Sequence, residues 1–161
     1  NALNASGTLS STNNETISLR QSGNTVAVGT AGTSLASLYA IRVRRTSNLN
    51  LPELTTPRIM NETSGGTVTA TGDLTITTEL ELSSGTTFNA NGNTIACKLV
   101  DVNGGTLNLS NSTLNFSVTA SGDTLDLHST STLTTGNTTI TGNTSSNTPA
   151  YLSRQGMTIL D

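Results

Sequence analysis

Gly92-Asn93-Thr94-Ile95-Ala96-Cys97 and Gly104-Gly105-Thr106-Leu107-Asn108-Leu109 share one plan: a turn of Gly or Asn, then a two-step apolar alternation. The phrase returns as Gly72-Asp73-Leu74-Thr75-Ile76, as Gly122-Asp123-Thr124-Leu125-Asp126-Leu127 and as Gly136-Asn137-Thr138-Thr139-Ile140. Alternation with period two marks a strand that buries one side. Gly, Asn and Asp tolerate the positive φ of a tight corner. Self-similarity at a fixed spacing marks a repeat architecture. Taking the first member of each apolar pair, and every third pair in turn, yields three columns. The first is Leu74, Ile95, Leu114 and Leu133; the second is Leu80, Val100, Val118 and Ile140; the third is Phe88, Leu107 and Leu125. Their spacings of 18 to 22 residues predict an all-β fold, a short parallel β-helix with three strands per coil and about four coils. Such short strands cannot bury an apolar side alone. Stacking coils roughly 4.8 Å apart lays like residues over one another and closes a thin continuous core.

Composition supports this reading. Thr, Ser, Asn and Gly make up more than half of the 161 residues, while 32% are hydrophobic, 11% charged and 2% aromatic. Disordered chains usually pair low hydrophobicity with high net charge, and here the net charge is only −3. That balance gives no reason to expect nucleic acid. No apolar run approaches the ~18 residues of a membrane helix, so no membrane insertion is expected. Cys97 is the one cysteine, which excludes an internal disulfide framework. The chain begins at Asn1 without an initiating Met or a signal-peptide pattern, which points to a processed product or a piece of a longer protein. Asn-x-Ser/Thr sequons such as those at Asn61, Asn108 and Asn111 occur at about the frequency that a Ser/Thr-rich chain produces by chance.

Residues 1–66 carry five of the seven basic residues, namely Arg20, Arg42, Arg44, Arg45 and Arg58, and two of the three prolines. Ile17 and Leu19, then Val26 and Val28 across Gln21-Ser22-Gly23-Asn24, read as an antiparallel hairpin. Tyr39–Arg44 reads as a third strand with Arg42 and Arg44 facing away from Ile41 and Val43. Four segments follow: 1–45 as an antiparallel β attachment region, 46–66 as an extended connector holding Pro52 and Pro57, 67–145 as the parallel β-helix, and 146–161 as a C-terminal cap or partner contact.

Few residues suggest chemistry. Asp126 and His128 alternate with Leu125 and Leu127 and should point outward side by side, with Asp123 in the adjacent corner. A metal or acid/base role would need further ligands, and no other histidine exists. Glu79 and Glu81 share a face, with Asp101 one coil away, a pattern that could divide acid and base roles. Lys98 is the nearby base, while Phe88 and Phe116 read as core. Cys97 shares the inward face of Ile95 and reads as a buried thiol rather than a nucleophile. Arg42, Arg44 and Arg45 form the dense positive cluster and are the candidate partner-binding residues. Thr67-Val68-Thr69, Thr75-Ile76-Thr77 and Thr139-Ile140-Thr141 have the Thr-x-Thr form of ice-binding solenoids. The corresponding places in other coils read Ile95-Ala96-Cys97 and Leu114-Asn115-Phe116, so a lattice match is not expected. No catalytic, cofactor-binding or metal-ligating residue is assigned, and the chain is read as a non-enzyme.

Thr87-Phe88-Asn89-Ala90-Asn91-Gly92-Asn93-Thr94-Ile95-Ala96-Cys97, continuing through Gly105 to Asn115-Phe116, resembles the Asn/Thr-rich β-solenoid segments of tailed-phage virion proteins: fibres, tail-associated proteins and capsid decorations. The resemblance covers about half of the chain, residues 67–145. Its motifs are shared with bacterial surface adhesins and with the wider right-handed β-helix class. It implies a structural or adhesive role on the virion surface, as a homo-oligomer, often a trimer. The implied partners are virion proteins, such as the major capsid or a tail protein, and surface glycans. It transfers no catalytic residue. Two alternatives stand beside it: a β-helix enzyme acting on polysaccharide, and a fragment of an adhesin from a bacterial cell surface.

Overall fold

The computed structural model describes residues 15–20, 25–44, 48–62, 65–116, 123–142, 151–154 and 158–160. These residues form a β-solenoid of about five turns, all-β and without a helix. Every strand pairing among them is parallel. One sheet is the first face, stacking β2 (Thr25–Ala27), β5 (Asn48–Leu51), β7 (Thr67–Ala70), β9 (Thr87–Asn89), β11 (Thr106–Asn108), β14 (Thr132–Thr134) and β17 (Thr158–Leu160). The other sheet is built around three long strands, β6 (Leu54–Asn61), β8 (Leu74–Leu82) and β10 (Thr94–Val102).

The register of each long strand shifts midway, at Pro57, at Thr77-Thr78 and at Lys98. A bulge of this kind bends a strand, and here it divides one sheet into two faces. The second face runs from β3 (Thr33–Ser34) through the first halves of the long strands to β12 (Thr113–Phe116) and β15 (Thr139–Gly142). The third runs from β1 (Thr16–Leu19) and β4 (Ala40–Val43) through the second halves to β13 (Asp123–Leu127) and β16 (Tyr151–Arg154).

The core is a set of axial columns. Leu49, Val68, Phe88, Leu107 and Leu133 stack on the first face. Leu54, Leu74, Ile95 and Leu114 stack on the second, and Ile59, Leu80, Val100 and Leu125 on the third. All of these are buried. Each such side chain removed from water contributes roughly 1.5–3 kcal/mol.

Three expectations change. Residues 16–61 are not an antiparallel unit with a connector: their described strands pair in parallel and extend the solenoid toward the N-terminus. Prolines suggested a connector because proline cannot donate to a sheet ladder. Pro57 sits at the bulge and Pro52 in the corner between β5 and β6, where no ladder bond is required. Leu133 does not join Leu74, Ile95 and Leu114. It stacks on Leu107, and Ile140 takes the place over Leu114. Leu125 moves likewise, from the Phe88–Leu107 column to a place over Val100. The coil lengthens at this point. On the first face a turn takes 19 residues from Leu49 to Val68, 20 to Phe88, 19 to Leu107 and then 26 to Leu133. Val118, Arg45 and Met157 lie outside the described residues. Toward the C-terminus, β16 and β17 add a further rung to the third and first faces.

Candidate functional site

Because strand parity sends every second side chain outward, the third face carries the charged groups in a rank along the axis. Arg42, Met60, Glu81, Asp101 and Asp126 occupy one register position in five successive rungs. The basic end is tied internally. Glu62 takes Arg42 Nε at 3.1 Å on one carboxylate oxygen and Arg44 Nε at 3.1 Å on the other. Arg42 Nε also lies 3.5 Å from Met60 Sδ. Arg58 Nη1 reaches Glu79 Oε2 at 3.4 Å and donates to the Tyr39 hydroxyl at 2.9 Å, with its guanidinium 4.9 Å from the Tyr39 ring centre. These pairs are partly exposed, so each contributes at most about 1 kcal/mol.

The other end is acidic. His128 Nε2 lies 3.2 Å from Asp101 Oδ1 and 3.4 Å from Asp126 Oδ2. Asp101 Oδ1 is buried, with His128 Nε2 as its polar neighbour. Burial pushes the Asp101 carboxyl above its ordinary value; Asp126 adds to the rise and His128 opposes it. Burial also raises Glu81, with Glu79, Glu62 and Asp101 adding repulsion and Arg42 opposing. The row can therefore retain a proton on Glu81 or Asp101 more readily than isolated carboxylates would. Among the described residues no three His, Cys, Asp or Glu are grouped so as to hold a metal ion.

Structure and sequence reading agree on several placements. Asp126 and His128 do come together, and Asp101 joins them from the preceding coil. Glu81 and Asp101 stack one rung apart. Asp123 opens β13 rather than lying in a corner. Phe88 and Phe116 are buried, and Lys98 is exposed at the bulge. Cys97 is fully buried, its thiol donates to Leu99 O at 2.9 Å, and burial pushes its pKa up to about 12. Such a thiol is inert at neutral pH.

Sequence reasoning missed a second feature, on the first face. Thr67, Thr87, Thr106 and Thr132 form one outward rank; Thr69, Asn89, Asn108 and Thr134 form the next. The Thr-x-Thr phrase at 67 belongs to the first face and those at 75 and 139 to the second, so comparing all three concealed this array. The usable signal was a Thr-apolar-Thr/Asn phrase opening β7, β9, β11 and β14. Beside the second rank lies an open recess of about 460 Å3 lined by Thr69, Asn89, Asn108 and the corner residues Asn91, Ser110 and Asn111.

The chain matches no protein-family model, no curated protein sequence and no solved structure.

Proposed function

We propose that this chain is a structural accessory protein of a phage particle, a capsid decoration or fibre-like β-solenoid that projects from the virion and meets the host surface with its sides. The observation that carries the reading is the combination of a continuously stacked core with side walls of Thr, Asn and Ser. A wound chain of this kind is stiff and presents short polar groups at fixed intervals. The resemblance of residues 67–145 to virion solenoid segments supports the same assignment, with the major capsid or a tail protein as neighbour and a homotrimer as the working assembly. The basic cluster of Arg42, Arg44 and Arg45 is the proposed attachment point. Glu62 already holds Arg42 and Arg44 in place, so an acidic partner would meet oriented guanidinium groups.

Mass spectrometry and reconstruction of purified particles test this directly: the chain should be present at symmetric positions, and its absence would end the reading. Replacing Arg42, Arg44 and Arg45 with Ala should lower occupancy on particles while leaving the melting transition cooperative. Unchanged occupancy would refute the attachment role. The carboxylate rank of Glu81, Asp101 and Asp126 favours a second reading, a polysaccharide-cleaving solenoid. Release of reducing ends that disappears in Glu81→Gln and Asp101→Asn would establish that alternative.

A further inference from the structure

We propose that the recess on the first face binds a neutral, extended oligosaccharide lying along the solenoid axis. This deepens the surface-contact part of the reading above and rests on it.

The floor of the recess is a ladder. Thr69, Asn89 and Asn108 share one register position on β7, β9 and β11, so their side chains repeat at roughly 4.8 Å. Val68, Phe88 and Leu107, their neighbours in the strands, are fully buried, which holds the ladder on a rigid base. The wall is a corner stack. Asn91 and Asn111 both adopt left-handed backbone, with φ of 54° and 57°. Asn91 Nδ2 donates to Ala70 O at 3.3 Å, and Asn111 Oδ1 accepts from Asn137 Nδ2 at 3.2 Å.

Wall and floor differ in how they are committed. Asn108 Oδ1 accepts from Ser110 N at 3.1 Å, which fixes the amide plane and leaves its NH2 group to donate elsewhere. The amide of Asn89 and the hydroxyl of Thr69 have no hydrogen-bond partner among the described residues. The recess thus presents oriented donors and acceptors that nothing in the fold consumes. Its volume lies within the range of small-ligand sites.

The lining carries no charge and no aromatic ring. An anion or cation finds no counter-charge there, and a single flat sugar finds no stacking platform. Sugar hydroxyls on successive residues of an extended chain do find matching groups, because one residue of such a chain advances by about one rung. Weak contacts repeated along the axis then add up. An ordered water lattice would be served better by identical side chains in both ranks. Asn89 and Asn108 interrupt the Thr of the second rank, and the recess breaks the flat surface beside them.

The test is an NMR titration of the whole chain with cellohexaose, xylohexaose and mannohexaose, following the side-chain amides of Asn89 and Asn108. Expected are shifts at these amides with at least one hexasaccharide, and affinity about tenfold above that for the matching disaccharide. Asn89→Ala, whose lost side chain makes no internal bond, should bind about tenfold more weakly. Lys98→Ala, on another part of the surface, should bind as the parent does. Absence of shifts with all three sugars would overturn the proposal, as would binding indifferent to Asn89→Ala and to length. Arrest of ice growth without sugar binding would also overturn it. These results are independent of whether the chain is found on particles, so the two readings fail separately.

Discussion

Thr130 holds φ at 72° in a corner column that otherwise uses Gly65, Gly85 and Gly104, with φ of 86°, 73° and 78°. A side chain in left-handed backbone costs roughly 1–2 kcal/mol, and glycine returns about 0.4–1 kcal/mol of that through the freedom of the unfolded chain. Thr130→Gly should therefore stabilise by about 0.5–1 kcal/mol, read as a higher denaturant midpoint; a lower midpoint would contradict the account. Gly72 is required for another reason: a Cβ there would collide with the Glu53 amide nitrogen in the neighbouring coil. Titration also acts at this scale. The folded Glu81 binds its proton more tightly than the unfolded residue does, because burial lifts its carboxyl above the ordinary 4.5. Its contribution to stability is thus fully present below that pH and is lost as pH rises through the raised folded value. Glu81→Gln should raise the melting temperature at pH 7, and the gain should vanish toward pH 4. An equal gain at both pH values would show that charge is not the cause.

The long strands show how an element can serve two faces. The bulge takes one residue in β6 and β10 and two in β8, and ladder bonding is interrupted there. A proline already occupies that position in β6. Lys98→Pro should accordingly lower the melting temperature much less than Ala96→Pro, which removes a ladder donor within a paired segment. Reversal of that order would mean that the bulge is bonded as a strand. Corners are elements too. Ser112 and Ser131 are buried, and each hydroxyl accepts from the glycine amide of the coil before it, Gly92 at 2.9 Å and Gly104 at 3.0 Å. Asn61 does similar work from within the core, donating to Gly66 O at 3.0 Å and Thr87 O at 3.2 Å. Its sequon is therefore closed to glycosylation in the folded chain.

At the scale of the molecule, a solenoid joins each coil chiefly to its two neighbours, so its stability is approximately a sum over coils and interfaces. Deleting residues 87–105 brings Thr106 to the place of Thr87, the residue it already overlies. The shortened chain should fold and melt cooperatively at a lower temperature. Deleting residues 87–96 breaks the three-face register and should abolish the cooperative transition. If both deletions behave alike, coil register is not what organises the fold.

From residue 67 onward, strand identity, the inward or outward side of each residue, and the winding of the chain were legible in the sequence, because all three follow from local alternation and corner residues. Cys97, Phe88 and the outward pair Asp126 and His128 were placed correctly for that reason. Which strand lies over which was decided only in three dimensions. Between Leu114 and Ile140 the coil grows from 19 to 26 residues, and the sequence hides the change because the apolar alternation runs on past Phe116 to Val118, which filled a column place. Leu133 was misplaced by that slip, and the first strands were misread because parallel and antiparallel partners share the same alternation. The Thr/Asn ladder and the extension of the Glu81–Asp101 row to Arg42, Met60 and Asp126 were hidden for the same physical reason: each is a column across coils, and a column exists only once register with the neighbouring coil is set.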